Sequence, residues 1–94
     1  MHDSPSRRGL YGITVAADLV GVGEQSLRLY ERKGLLTPER TPGGTRLYSN
    51  ADLDVLRRVI ALVQEGVNLA GARRILELEA ANSVLRLRID ELST

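Results

Sequence analysis

The 94-residue chain has no cysteine, no tryptophan and no phenylalanine, and a single histidine. Without cysteine, neither a disulfide nor a thiolate metal site can brace the fold, and His2 alone cannot build a metal site. Three tyrosines are the only aromatics, so the core has to come from Leu, Val, Ile and Ala, a palette that points to helices. No apolar run approaches the ~18 residues of a membrane span, and the polar N-terminus lacks the apolar stretch of a secretory signal. The expected location is the cytoplasm, with no membrane partner and no cofactor. Catalysis is not expected either. It usually needs a nucleophile with a base, or paired acids in a pocket, whereas Asp52 and Asp54 sit at a helix start that favours acidic residues anyway. A chain this short makes one small domain with little stability to spare, and pairing of two copies is a natural source of extra burial.

Net charge is only +1, but its distribution is informative. Residues 1–50 carry seven Arg or Lys against five Asp or Glu, whereas residues 77–94 carry two against four. One end is suited to phosphate and the other to protein. Residues 1–10 are polar and contain Pro and Ser, and are expected to be a flexible N-terminal tail.

The segment Thr14–Val20 predicts a short helix with Thr14 as its N-cap, ending at Gly21. A second helix is predicted from Glu24 to Lys33, stopped by Gly34. Two short helices joined by a few residues that include Gly match a helix-turn-helix. Residues 37–48 change character: Pro38, Pro42, Gly43 and Gly44 rule out a helix, and Thr45, Leu47 and Tyr48 suit a strand. A small hairpin, or wing, is expected. Ser49 then starts a helix with Asp52 placed for a capping box. Leu53, Leu56, Ile60 and Val63, with Val59 beside them, form its expected buried stripe. Gly66 ends it, and Asn68 caps a further helix that turns Leu69, Ala72, Ile75 and Leu76 inward.

From Ile75 a heptad can be written, with Ile75, Asn82 and Ile89 at a and Leu78, Leu85 and Leu92 at d. This pattern suits pairing between two chains, with Asn82 fixing register; the other reading is an amphipathic helix folded back on its own domain. The last two helices are compatible with one continuous rod or with a kink near Ala80–Asn82.

On the second helix Gln25, Arg28, Leu29 and Arg32 share one face, while Leu27 and Tyr30 point toward the first helix. The DNA major groove admits a helix, Gln and Arg pair well with adenine and guanine edges, and Leu29 can pack on a thymine methyl. Lys33, Arg40 and Arg46 flank the hairpin, with Thr41 and Thr45 as phosphate donors. Arg73 and Arg74 sit at a helix start whose amides also suit phosphate. An ordinary solvated surface is the plain alternative for each element alone; three basic elements together favour DNA.

The residues that carry a family pattern are TVAADLVGV, SLRLYERKGLL (Ser26–Leu36), TPGGTRLYSNADLDVL (Thr41–Leu56) and EGVNLAGARRIL (Glu65–Leu76). From Ile13 to Leu78 the chain resembles the MerR family of bacterial regulators, and the EGVNLAGARRIL segment resembles the HspR-like heat-shock-repressor and glutamine-regulator branches. The resemblance implies a mainly helical fold with a small β-hairpin: a winged helix-turn-helix DNA-binding domain over residues 11–76, then a coiled-coil dimerisation helix over 77–94. By position it implies Gln25, Ser26 and Arg28 as groove or phosphate contacts, Tyr30 and Lys33 as phosphate supports, Arg46 as the wing arginine and Tyr48 packed beneath it. Leu29 stands where many members have a second aromatic. The implied function is that of a transcription regulator, most simply a repressor, acting as a homodimer on inverted repeats of double-stranded DNA. A DNA-architectural or excisionase-like protein is the alternative, and a promoter-reporter test separates the two. Metal-sensing members use cysteines and drug-sensing members carry a large C-terminal domain; with no cysteine and two residues after Leu92, neither sensor is expected. A protein co-regulator is the expected route for any signal.

Overall fold

The computed structural model describes residues 7–93. Elements follow in the order β1 (Gly9–Tyr11), α1 (Ile13–Val20), α2 (Glu24–Arg32), β2 (Glu39–Arg40), β3 (Arg46–Ser49), α3 (Asn50–Gln64) and α4 (Leu69–Ser93). The three strands form an antiparallel sheet of order β1-β3-β2. This is a helix-turn-helix followed by a winged hairpin and a helix pair, the mainly helical architecture anticipated from the sequence.

The first strand was not anticipated. The polar tail expected over residues 1–10 falls partly outside the described residues, but Gly9 and Leu10 belong to β1, which pairs with β3 through Gly9–Ser49 and Tyr11–Tyr48. Glycine is required at position 9 because a Cβ there would lie 2.7 Å from the Leu47 Cβ. A strand of three residues is too short for any alternation to reveal.

Helix α1 is capped by Gly12, with no side-chain cap bond. The expected N-cap, Thr14, lies inside the helix, and its hydroxyl donates to Glu24 Oε2 at 3.0 Å, tying α1 to α2. The second helix ends as predicted: Leu35 N donates to Tyr30 O at 3.0 Å across Gly34, whose φ of 79° suits glycine. The capping box at α3 is complete. Asp52 N donates to Ser49 Oγ at 3.0 Å and Ser49 N donates to Asp52 Oδ2 at 2.9 Å. At α4, Gly71 N donates to Asn68 Oδ1 at 2.8 Å.

The core joins Ala16 and Ala17 of α1, Leu27 and Tyr30 of α2, Leu35 and Leu36, Tyr48 of β3, four α3 residues and Ala72 of α4. The α3 stripe is Leu53–Leu56–Val59–Leu62. It replaces the expected Ile60 and Val63: Ile60 is only partly buried and Val63 is exposed. The helix winds one position earlier onto the core, so Leu62 takes the place predicted for Val63.

Helix α4 is one continuous helix from Leu69 to Ser93, uninterrupted at Ala80–Asn82. Its first two turns seat on the domain through Ala72, Ile75 and Leu76. From Glu77 to Leu92 every residue is exposed. Among the described residues no helix is long and apolar enough to cross a membrane.

Candidate nucleic-acid interface

Packing fixes which side of α2 faces outward. Leu27 is fully buried and Tyr30 nearly so, and both press the helix onto the core. The opposite side therefore carries Gln25, Arg28, Leu29 and Arg32; Gln25 and Arg32 are exposed, and Ser26, Arg28 and Leu29 half-exposed. Among the described residues, Arg28 is restrained by a 3.4 Å contact from Nη2 to Glu24 Oε1, one turn earlier. Such an exposed i,i+4 pair is weak, and it leaves the guanidinium able to turn to another acceptor.

The hairpin is tied to the end of α2 by a residue to which the sequence reading gave no role. Glu31 Oε2 accepts from Arg40 Nη2 at 2.7 Å and Glu31 Oε1 from Arg46 Nε at 2.6 Å. One carboxylate thus holds an arginine from each strand of the wing. Arg40 and Arg46 were expected to contact phosphate; the structure pairs both with Glu31, so phosphate has to compete with or share that carboxylate. The one signal in the sequence was an acid in the last turn of the helix, where the macrodipole disfavours it. Arg40 also donates from Nη1 to Gly44 O at 3.1 Å, and Thr45 N donates to Thr41 Oγ1 at 3.1 Å. These bonds shape the hairpin tip.

Burial pushes the Glu31 carboxyl up, but hydrogen bonds from Arg46 and Arg40, with their charges, outweigh it and the net shift is downward from 4.5. A depressed folded-state value means that the clamp stabilises the protein above the ordinary carboxylate range and is lost as pH falls through the lowered value. Wild type should therefore melt above a Glu31→Gln variant at pH 7, and the gap should shrink as the pH is taken from 4.5 toward 3. A gap independent of pH would show that the carboxylate charge is not what holds the wing.

Tyr48 corrects the sequence-based expectation. Tyr30 and Tyr48 were both placed among DNA contacts; Tyr48 is 0% exposed and presents no surface to a duplex, whereas Tyr30 is 7% exposed, its ring in the core and its hydroxyl not among the buried unpaired groups. Tyr48 does lie beneath the wing, as the family pattern implied. Its hydroxyl is buried without a hydrogen-bond partner among the described residues, and burial raises its pKa, against the opposing pull of Arg46. Leaving a buried hydroxyl unpaired costs about 1–3 kcal/mol. Tyr48→Phe is accordingly expected to raise stability by roughly 1 kcal/mol in denaturant titrations; a loss of similar size would mean that the hydroxyl is bonded in solution.

On the other flank of α2 the fold unites residues far apart in sequence. Lys33, at the end of α2, and Asn68, Leu69, Ala70, Arg73, Arg74 and Glu77 line an open groove of about 700 Å³. Arg73 packs over the turn at Gly34, where a Cβ would lie 3.2 Å from its Nη1. Arg73 and Arg74 stand 3.9 and 3.8 Å from Glu77, contacts too long to hold either firmly. Three cations thus surround the first turn of α4, whose amides favour an anion.

Of the residues assigned to pairing, Leu78, Leu85, Ile89 and Leu92 are 49%, 56%, 60% and 88% exposed, and Asn82 is exposed between them. Ile75 differs from that expectation, because it is partly buried against its own domain.

An outward polar helix between a hairpin wing and a second basic flank defines a winged helix-turn-helix protein. The pattern of the MerR HTH family of regulatory proteins matches residues 11–79. The chain belongs to the MerR family. It is 49% identical over 85 residues to HspR of Streptomyces coelicolor, covering 89% of this chain and 56% of that protein. It is 43% identical over 67 residues to the HTH-type transcriptional repressor CarH of Myxococcus xanthus, covering 70% of this chain and 22% of CarH. It thus spans little more than half of HspR and a smaller part of CarH. Among solved structures, MtaN, the N-terminus of a Bacillus subtilis multidrug transporter activator, superposes with a TM-score of 0.67 at 28% identity, over 88% of this chain and 91% of that one. The MerR family regulator HiNmlR, which lacks a sensor domain and is bound to promoter DNA, gives 0.67 at 25% identity, over 88% and 75%.

Proposed function

We propose that the protein is a sequence-specific double-stranded DNA-binding transcription regulator that represses by occupying its operator as a homodimer. The observation that carries this reading is the outward face of α2, with Gln25 and Arg28 set between the Arg40/Arg46 hairpin and the Lys33/Arg73/Arg74 groove. Gln25, Ser26 and Arg28 read base edges, with Leu29 against a methyl. Arg46, Arg40 and Thr45 on one side, and Lys33, Arg73 and Arg74 on the other, hold phosphates and set the register. Residues 11–76 are the DNA-binding unit and 77–94 the pairing helix. In an antiparallel pair Leu78 meets Ile89 of the other copy, and Asn82 meets Leu85, so each a residue packs against a d residue and vice versa. Signals reach such a dimer through a protein co-regulator in the cytoplasm.

Binding to a duplex selected from a randomised pool tests the reading. Affinity should fall linearly in log–log form with added salt, with a slope of about −0.9 per neutralised phosphate, and random duplex should bind at least about a thousandfold more weakly. Equal affinity for selected and random duplex would leave an architectural protein; salt-insensitive or absent binding would reject a DNA role.

A further inference from the structure

Helix α4 leaves the domain through a narrow seat, Ala72 with the half-buried Ile75 and Leu76. One turn beyond that seat, a single side-chain fork spans from α3 to α4: Arg58 Nη2 donates to Glu79 Oε2 at 2.7 Å and Arg58 Nε to Glu79 Oε1 at 3.3 Å. The two parallel bonds fix direction as well as distance, which a lysine or a single contact would not. On the helix surface Glu79 follows Ala72 and Ile75 on the side turned to α3. The residues that continue this side, Ser83, Arg86 and Asp90, are polar and no longer lie over the domain.

We propose that the Arg58–Glu79 fork is a positioning device that sets the angle of α4 to the DNA-binding unit, and thereby the spacing between half-sites that the dimer accepts. The inference rests on the reading of the protein as a DNA-binding dimer paired through α4. The lever makes the angle matter. From Glu79 to Leu92 the helix runs roughly 20 Å at about 1.5 Å per residue. A tilt of about 10° at the fork therefore displaces the far end by roughly 3.5 Å, close to one base-pair step of about 3.4 Å. A base-pair step also rotates the half-site about the duplex axis, since a turn takes about 10–10.5 base pairs, so a small change of lean is read as a change of preferred spacing. Both partners are about half exposed, so the fork orients rather than stabilises.

The test uses inverted repeats of the selected half-site, with the spacer varied one base pair at a time. The full chain is compared as wild type, Arg58→Gln, Glu79→Gln and the charge-swapped Arg58→Glu/Glu79→Arg double variant. Single half-site duplexes and sedimentation mass serve as controls. Wild type should prefer one spacing by about tenfold over its neighbours, the scale of a single misplaced contact. Each single variant should flatten or shift that preference while keeping half-site affinity and dimer mass, and the double variant should restore it. Single variants that keep the wild-type spacing profile overturn the proposal, as does a double variant that fails to restore it or a wild type indifferent to spacing. Failure of the underlying reading looks different: the wild type would then enrich no half-site at all, or sediment as a monomer.

Discussion

Leu27→Ala is expected to remove about 2–5 kcal/mol of stability, the cost of truncating a large aliphatic side chain in a closed core. Leu27 is 0% exposed and, with Tyr30, seats α2 on the rest of the domain. A domain of this size has only about 5–15 kcal/mol in total, so the substitution consumes a large share of it. At roughly 4–8 °C per kcal/mol for a domain of 60–100 residues, the melting temperature should drop by about 10 °C or more. DNA binding should fall with it, because the outward face of α2 exists only while the inward face is seated. A shift under about 4 °C would mean that α2 is not held by this contact.

Arg28→Ala should have the largest effect on recognition without touching the fold. Its guanidinium is half exposed and, among the described residues, paired with Glu24 at 3.4 Å, so truncation leaves no buried group unsatisfied and the melting temperature should stay near that of wild type. Loss of a base-edge contact weakens binding to the selected duplex by about 1–3 kcal/mol, or roughly 5- to 150-fold, while random duplex is little affected. Equal losses on both duplexes would reduce Arg28 to a phosphate contact and transfer recognition to Gln25 and Ser26. The salt slope offers a second readout, since a lost base contact leaves it unchanged and a lost phosphate contact lowers it by about one phosphate.

The features legible in the sequence were those set by local chemistry. Ser49 and Asp52 form the capping box their spacing implied, Gly34 ends α2 as expected, and the amphipathic order of Leu27 and Tyr30 against Gln25 and Arg28 told which side of α2 faces outward. Features made by long-range contact were not legible. β1 exists because Gly9 lets the backbone approach Leu47, a pairing across the whole helix-turn-helix. Glu31 gathers Arg40 and Arg46 only after the hairpin folds back on α2, so two arginines that look like free clamps in sequence are paired in the structure. Lys33 and Arg73 come to line one groove for the same reason. The family pattern located Tyr30 and Tyr48 among the functional positions, but solvent exposure assigns Tyr48 to the core that carries those positions. Periodicity alone could not choose between Leu62 and Val63, because both lie within the arc that a helix of this length can turn inward.

The most direct test of the account is a titration of the protein with the selected duplex, followed residue by residue through backbone amide NMR shifts. The amides of Gln25, Ser26, Arg28 and Arg32 should move most, those of Thr45, Arg46, Arg73 and Arg74 should also respond, and those of the buried α3 stripe, Leu56 and Val59, should stay nearly still. Shifts concentrated along the distal part of α4, with α2 silent, would contradict it.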